Sequence, residues 1–333
     1  MTREDDMHQR TMGRLGWRIS EIGYGMWGIG GGPGGFTGWD YDTAPHCLDL
    51  AVEEGCTFFD TAWVYGRGVS EQMLGALLRR HPDRRLRVAT KVPPLNREWP
   101  PGPEDTLDDV FPPDHVREYV HRSLENLGTD RIDLLQFHVW EDRWSDDERW
   151  QRIISDLKAE GVIEGFGLSV NRWEPANCLR ALDTGLVDVV QVIYNIFDQA
   201  PEDELFERAL RDSIGIIARV PFDEGGLTGR LTRDTTFPEE DWRAVYFGPE
   251  NLGPTVERAE LLKKVLPEGV TLPELALRFI LHHPAVSTVI PGMRTPEHTR
   301  ANLAVSGAPP LAPALLAELR AHRWDRRPTE WSM

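Results

Sequence analysis

Short apolar or β-branched runs alternate along the chain with longer segments whose apolar positions recur at helical spacing. EIGYGMWG (21–28) precedes APHCLDLAVEEG, TFFDT precedes SEQMLGALLRR, and LRVATKV precedes DHVREYVHRSLENLG. IDLLQFH then leads to DERWQRIISDLKAEG, IEGFGLSV to EPANCLRALDTG, and VDVVQVIYN to DELFERALRDS. IGIIARV runs through a Gly-rich loop to a helical region near 254–283, and VSTVIPG to TPEHTRANLAV. Asp114 and Ser70 stand where helix N-caps belong, and Gly55, Gly128, Gly161 and Gly185 fall just past helix ends. Eight strand-plus-helix units predict an α/β fold, a (β/α)8 TIM barrel, as a single domain over 1–333. The barrel spans approximately 20–305, behind an N-terminal hairpin and ahead of a C-terminal capping helix and tail at 306–333. A doubly wound open sheet is the rival. It would show a GxGxxG turn opening a helix after its first strand, whereas GYGMWGIGGGPGG runs into no immediate helix.

Composition narrows the function. The 333 residues, 40% of them hydrophobic, suffice for a barrel of about 250 residues. A formal charge of -17, with no run of Lys or Arg longer than a pair, argues against nucleic acid and anionic membrane surfaces as partners. Cys47, Cys56 and Cys178 form neither a disulfide framework nor a metal-ligand spacing, so no metal is expected and reduced cytosol is the simplest setting. The polar N-terminus lacks the apolar core of a signal peptide, and no stretch approaches about 18 consecutive apolar residues. A cytoplasmic protein without a membrane role is expected, and a homo-oligomer is compatible with this composition.

Chemistry in such a barrel gathers at the C-terminal ends of the strands. Asp60 ends the second strand, Tyr65 lies in the loop after it, Lys91 ends the third and His138 the fourth. A phenol has a pKa of about 10 and needs a nearby cation to give up its proton easily. Lys91 is that cation, and a lysine closing an apolar run is costly to bury unless a carboxylate such as Asp60 pairs with it. Singly each residue could be a cap, a wall or a surface charge; four on adjacent strand ends point to catalysis.

DTAWVYG, TKV, the His of IDLLQFH, GFGLSVN, VQVIYN and GGLTGR resemble, in order and spacing, the motifs of the aldo-keto reductase superfamily. The resemblance implies a barrel that reduces an aldehyde or ketone with NADPH through Asp60, Tyr65, Lys91 and His138. Tyr65 would be the general acid, Lys91 would lower the phenol's pKa, and His138 would orient the carbonyl. It also implies a cofactor site. Met26 and Trp27 would belong to it, with Ser169, Asn171 and Gln191 at the nicotinamide carboxamide. The seventh strand ends in Arg219 where many relatives have an aromatic, which resembles a bacterial-type branch. Pro221, Gly225, Leu227 and Gly229 would bring backbone close to a pyrophosphate. Gly292 would belong to the cofactor site too, and Arg294, with His298 and Asn302, would hold the adenosine 2'-phosphate at a helix N-terminus, which favours NADP over NAD. A cofactor-binding regulatory subunit with little turnover is the alternative within the same fold.

The substrate is written less clearly. Trp63, Trp140 and Trp144 lie in loops on the catalytic side and could wall a pocket for a small carbonyl compound. The Pro-rich segment 93–113 could be a substrate lid or a solvated loop, 231–251 a lid over the cofactor, and the polar end of the tail could reach the mouth.

Overall fold

The computed structural model describes residues 7–31, 35–38 and 40–326. Strands β1 (Gln9–Thr11) and β2 (Arg18–Ser20) pair antiparallel as the N-terminal hairpin. Its Met12, Trp17 and Ile19 pack onto Phe58, Ala89, Leu134, Val189 and Ile217, the side chains that point inward from the barrel strands, and so plug one end.

The barrel strands are β3 (Tyr24–Gly25), β4 (Phe58–Asp60), β5 (Arg87–Val92) and β6 (Ile132–Phe137), then β7 (Ile163–Ser169), β8 (Val189–Ile193), β9 (Gly215–Arg219) and β10 (Val286–Val289). They lie side by side in chain order, all parallel. Bridges from Ile22 to Val289 and from Gly25 to Gly292 join the first edge to the last, reinforced by Gly23 N donating to Val289 O (2.8 Å). The eight-unit barrel is therefore present and closed.

Helices α1 (Trp27–Gly30) and α2 (Thr43–Glu53) follow β3, α3 (Val69–Arg80) follows β4, and α4 (Leu107–Val110) and α5 (Pro113–Leu127) follow β5. Next come α6 (Glu148–Ala159), α7 (Leu179–Asp183) and α8 (Leu205–Asp212), one after each of β6, β7 and β8. Between β9 and β10 lie α9 (Trp242–Tyr246), α10 (Pro249–Lys263) and α11 (Leu272–His282); α12 (Pro296–Leu303) and α13 (Pro313–Arg320) end the series. The helical periodicity is visible in α6, which buries Trp150, Ile153, Ile154 and Leu157 on one stripe.

Several local expectations are corrected. The first strand is only Tyr24–Gly25, because the chain turns into α1 at Trp27 once Met26 N has bonded Asp60 O. The helical region near 254–283 is two helices, parted at a turn where Gly269 takes φ +76°. Asp114 is not an N-cap: α5 starts at Pro113, and the acid sits in its first turn, where it favours the helix dipole. Ser70 lies inside α3, its hydroxyl bonded to that of Thr61 (2.7 Å). Gly55, Gly128, Gly161 and Gly185 do take the positive φ that ends a helix. Segment 93–113 closes on itself through Leu95 N to Val110 O (2.9 Å) and folds back on the barrel through Trp144 Nε1 to Asp105 O (3.0 Å) and Phe111 stacked on Phe137 (4.1 Å). Residues 327–333 of the tail lie outside those described.

Candidate active site

Adjacent strands bring the charged pair together. Asp60 closes β4 and Lys91 lies near the end of β5, both buried. Lys91 Nζ donates to Asp60 Oδ2 (2.6 Å), Thr61 O (2.8 Å) and Tyr65 Oη (3.3 Å), so all three ammonium protons find oxygen. The other carboxylate oxygen accepts from Gln191 Nε2 (2.7 Å) and Gln136 Nε2 (3.3 Å). A buried ion pair needs this kind of completion to offset desolvation.

Tyr65 reaches the ammonium because the loop after β4 turns tightly and sits against α1. A Cβ on Gly66 would lie 2.0 Å from Gly30 O, and one on Gly30 would lie 2.8 Å from Tyr65. Only glycine at both places lets the two backbones approach so closely. The Tyr65 ring faces Trp27 (6.4 Å) and meets the edge of His138 (5.9 Å).

Burial raises the Tyr65 phenol above its ordinary pKa, with Lys91 pulling the other way and Asp60 adding to the rise. The expected net lowering by Lys91 is thus reversed, because desolvation of the phenolate outweighs the ammonium. At neutral pH the phenol keeps its proton. Burial, then Lys91 and Arg219, push His138 well below the usual histidine range, so its ring is a neutral imidazole. His138 Nδ1 is buried without a protein partner.

The remaining predicted residues divide. Ser169 ends β7, buried, and the Gln191 amide nitrogen is committed to Asp60 and Gln136. The Asn171 side-chain oxygen accepts from Glu174 N (2.9 Å), a local turn contact. Arg219 Nη2 donates to Val170 O (3.0 Å), while its Nε is buried with no protein acceptor. Beyond it Pro221 and Leu227 are buried, Gly225 takes φ +116° and Gly229 φ +68°. In the same loop burial raises the Glu224 carboxyl to about 7, against the pull of Arg172 and Arg219.

The Arg294 stem crosses Gly28, its Nη1 donates to Thr37 O (2.7 Å), and the guanidinium lies over Phe36 (5.6 Å). α12 begins one residue after Thr295, whose hydroxyl accepts from His298 N (3.2 Å), with Asn302 buried two turns on. Gly292 is exposed beside the barrel closure, and Met26 is fully buried. Segment 231–251 meets this corner: Asp241 Oδ2 accepts from Thr37 N and Oγ1 (both 2.8 Å), and Trp242 N donates to Gly35 O (3.1 Å).

Trp140 and Trp144 are buried in an aromatic column with Phe111, Phe137 and Trp150. Among the described residues their ring partners include no member of the tetrad, which fits packing better than a substrate wall. Trp63 is half-buried, edge-on to Tyr119 (4.9 Å), with Arg97 over its ring. Trp99, from segment 93–113, stands edge-on to His138 (5.9 Å) instead. Nothing in the local sequence singles out Trp99. Gln136 carried a readable signal, being a polar residue two positions before His138 in an apolar run.

The eight parallel strands close a barrel, and Asp60, Tyr65, Lys91 and His138 gather where its strands end. Residues 21–323 match the model of the Aldo/keto reductase family, and the chain belongs to that family. It is 28% identical over 310 residues to an NADH-specific methylglyoxal reductase of Escherichia coli (strain K12), covering 90% of this chain and 93% of that protein. Pyridoxal 4-dehydrogenase of Microbacterium luteolum is 29% identical over 330 residues, covering 89% and 92%. An aldo-keto reductase from Bacillus halodurans in its holo form superposes with a TM-score of 0.76 at 25% identity, covering 98% of this chain and all (100%) of that one. The protein is thus an oxidoreductase of a family that interconverts carbonyl and alcohol groups with a nicotinamide cofactor. Among the described residues no helix is long and apolar enough to cross a membrane, and no cluster of His, Cys, Asp or Glu could hold a metal ion.

Proposed function

We propose that the protein reduces an aldehyde or ketone to an alcohol with NADPH, Tyr65 serving as general acid. The observation that carries this reading is the Lys91 ammonium joining Asp60 to the Tyr65 hydroxyl beside a neutral His138. When bound, a reduced nicotinamide supplies the hydride. Tyr65, protonated at neutral pH, gives its proton to the carbonyl oxygen as negative charge develops there. Lys91 stabilises the phenolate left behind, and Asp60, pinned by Gln136 and Gln191, keeps the ammonium in place. His138, uncharged, orients the carbonyl without competing as a stronger acid.

The unpartnered Arg219 Nε supports a polar ligand beside the tetrad, and the neighbouring Gly225 loop supports a pyrophosphate. Trp27 and Trp99 flank Tyr65 and His138, which suits a small planar carbonyl compound. The cysteines are free and buried, in keeping with a cytoplasmic setting. Loss of NADPH absorbance against a panel of aromatic aldehydes, diketones including methylglyoxal, and keto-sugars tests the reading; oxidation with none of them overturns it.

The cofactor choice rests on Arg294. Burial and the nearby Arg243 hold this guanidinium below its usual range, and Arg230 and Arg294 act on His298 in the same direction after burial. Arg243 is already paired with Asp241, whereas Arg294 has no carboxylate within ion-pair distance among the described residues, so an added anion is favoured beside Arg294. A charge-assisted contact with the 2'-phosphate contributes about 1.5 to 3 kcal/mol. Arg294→Ala should therefore weaken NADPH binding about tenfold to a hundredfold and leave NADH nearly unchanged. Fluorescence titration of both cofactors checks this, and equal losses for the two would assign Arg294 to loop support.

Arg219→Ala should weaken cofactor binding and lower turnover together. Its guanidinium forms no ion pair among the described residues, so removal leaves no uncompensated charge and the barrel should keep its stability. Unchanged binding and turnover in the same titration would remove Arg219 from the site.

A further inference from the structure

After α13 the chain turns back across the barrel mouth, where Trp324 N donates to Phe197 O (2.8 Å). Arg326, two residues on, is only 9% exposed, and charged side chains are rarely buried so far unless they are paired. Its Nη2 donates to Asp198 (2.6 Å) and Asp223 (2.8 Å), and its Nη1 to Tyr246 Oη (2.8 Å). Arg172 is buried beside it, hydrogen-bonded to Tyr246 Oη and 3.4 Å from Asp223 Oδ1. Two guanidiniums thus face two carboxylates, so the cluster is balanced in charge and loses that balance if either cation goes.

None of the five side chains sits on a barrel strand. Arg172 follows β7, Asp198 follows β8, Asp223 follows β9, Tyr246 ends α9, and Arg326 comes from the tail. The cluster therefore ties loops to one another and leaves the sheet alone. Asp223 takes φ +48°, between Val220 at +56° and Glu224 at +55°, all left-handed and none of them glycine. A β-branched residue in that region is rare, and such backbone persists only where its surroundings over-determine it. The strained segment is the one between Arg219 and Gly225.

We propose that Arg326 is a positioning residue: by gripping Asp223 it latches the C-terminal tail onto the cofactor loop, so that tail closure and dinucleotide binding are coupled. This rests on the reading that the Pro221–Gly229 loop holds the cofactor. Its geometry explains why the fork reaches three partners at once. Asp198 and Tyr246 fix the guanidinium, and the fixed guanidinium holds Asp223 and with it the left-handed backbone. Coupling is reciprocal, so bound cofactor must in turn tighten the tail.

The experiment compares full-length wild type, Arg326→Ala and Arg326→Lys. NADPH titration, thermal unfolding and hydrogen exchange of segment 320–326, with and without cofactor, are measured for each. Arg326→Ala should raise the NADPH dissociation constant about tenfold or more. Its unfolding midpoint should fall, because a buried carboxylate loses its cation, so affinity is titrated well below that midpoint, where the variant is folded. Arg326→Lys keeps the charge but not the fork, and should recover part of the affinity. In wild type, NADPH should slow exchange in 320–326, and Arg326→Ala should abolish that slowing. Wild-type affinity in both variants, or no effect of cofactor on tail exchange in wild type, overturns the latch. Should Arg326→Ala fail to fold, Arg326→Lys decides: wild-type affinity contradicts the proposal and an intermediate value supports it. A wild type that binds neither NADPH nor NADH would remove the proposed function itself, a result distinct from a wild type that binds and a variant that binds equally.

Discussion

Tyr65→Phe should lower the rate of carbonyl reduction by about 10²- to 10⁴-fold, the range that a positioned general acid contributes. Only the hydroxyl is removed. The ring that packs on Trp27 and His138 stays, so the pocket should keep its shape and NADPH affinity should remain close to wild type. The phenol's contact with Lys91 is the longest of the three that the ammonium makes, so the Lys91–Asp60 pair survives its loss. Because burial raises the phenol above its ordinary value, wild-type reduction should show no phenol-dependent fall through neutral pH. The rate should drop only as pH rises above about 10, where the donor becomes phenolate. Steady-state rates across pH, with direct NADPH titration of the variant, check both parts.

Lys91→Met should cost both activity and stability. Turnover should fall by an amount similar to that for Tyr65→Phe, since the phenolate formed in the transition state loses its counter-ion, and the phenol's pKa should rise further. Asp60 would be left buried with two amides and no cation. Breaking a buried pair in this way costs about 3–5 kcal/mol of folding stability. The double variant Asp60→Asn/Lys91→Met removes both charges and should recover much of that stability while remaining inactive. Urea unfolding beside turnover separates the two effects. A single variant as stable as wild type would mean that the pair is not desolvated as its burial implies, and restored activity in the double variant would contradict the role given to the ammonium.

The barrel was legible because each unit repeats one pattern, an apolar strand followed by an amphipathic helix such as α6 with its stripe from Trp150 to Leu157. The polar residues of the candidate site stood out for a related reason: Asp60, Lys91 and His138 interrupt apolar runs at strand ends, where burial without a task is expensive. Short elements were less readable. β3 has two residues because α1 begins immediately after Met26, and glycine-rich sequence has no periodicity that distinguishes those states. Trp99 belongs beside His138 only because segment 93–113 folds back on the barrel, whereas Trp140 and Trp144, nearer in sequence, turn into the core. The cluster of Arg172, Asp198, Asp223, Tyr246 and Arg326 leaves no local spacing at all. Its members come from five loops or ends, and only tertiary structure assembles them.

The sign of the Tyr65 shift had to come from structure as well. A sequence shows that a lysine is available near a phenol, but the balance between desolvation and an ammonium at 3.3 Å depends on how deeply both are buried. That balance suits the proposed reductive direction, in which the phenol would hold its proton until the carbonyl oxygen takes it.

The most direct test is a single-turnover reaction of wild type and Tyr65→Phe, each loaded with NADPH and mixed with a reactive dicarbonyl such as methylglyoxal. Wild type should oxidise its bound NADPH and form one alcohol per cofactor consumed, while the variant retains bound NADPH and reacts at least about a hundredfold more slowly. Oxidation of NADPH by the variant at the wild-type rate would contradict the assignment of Tyr65 as the acid.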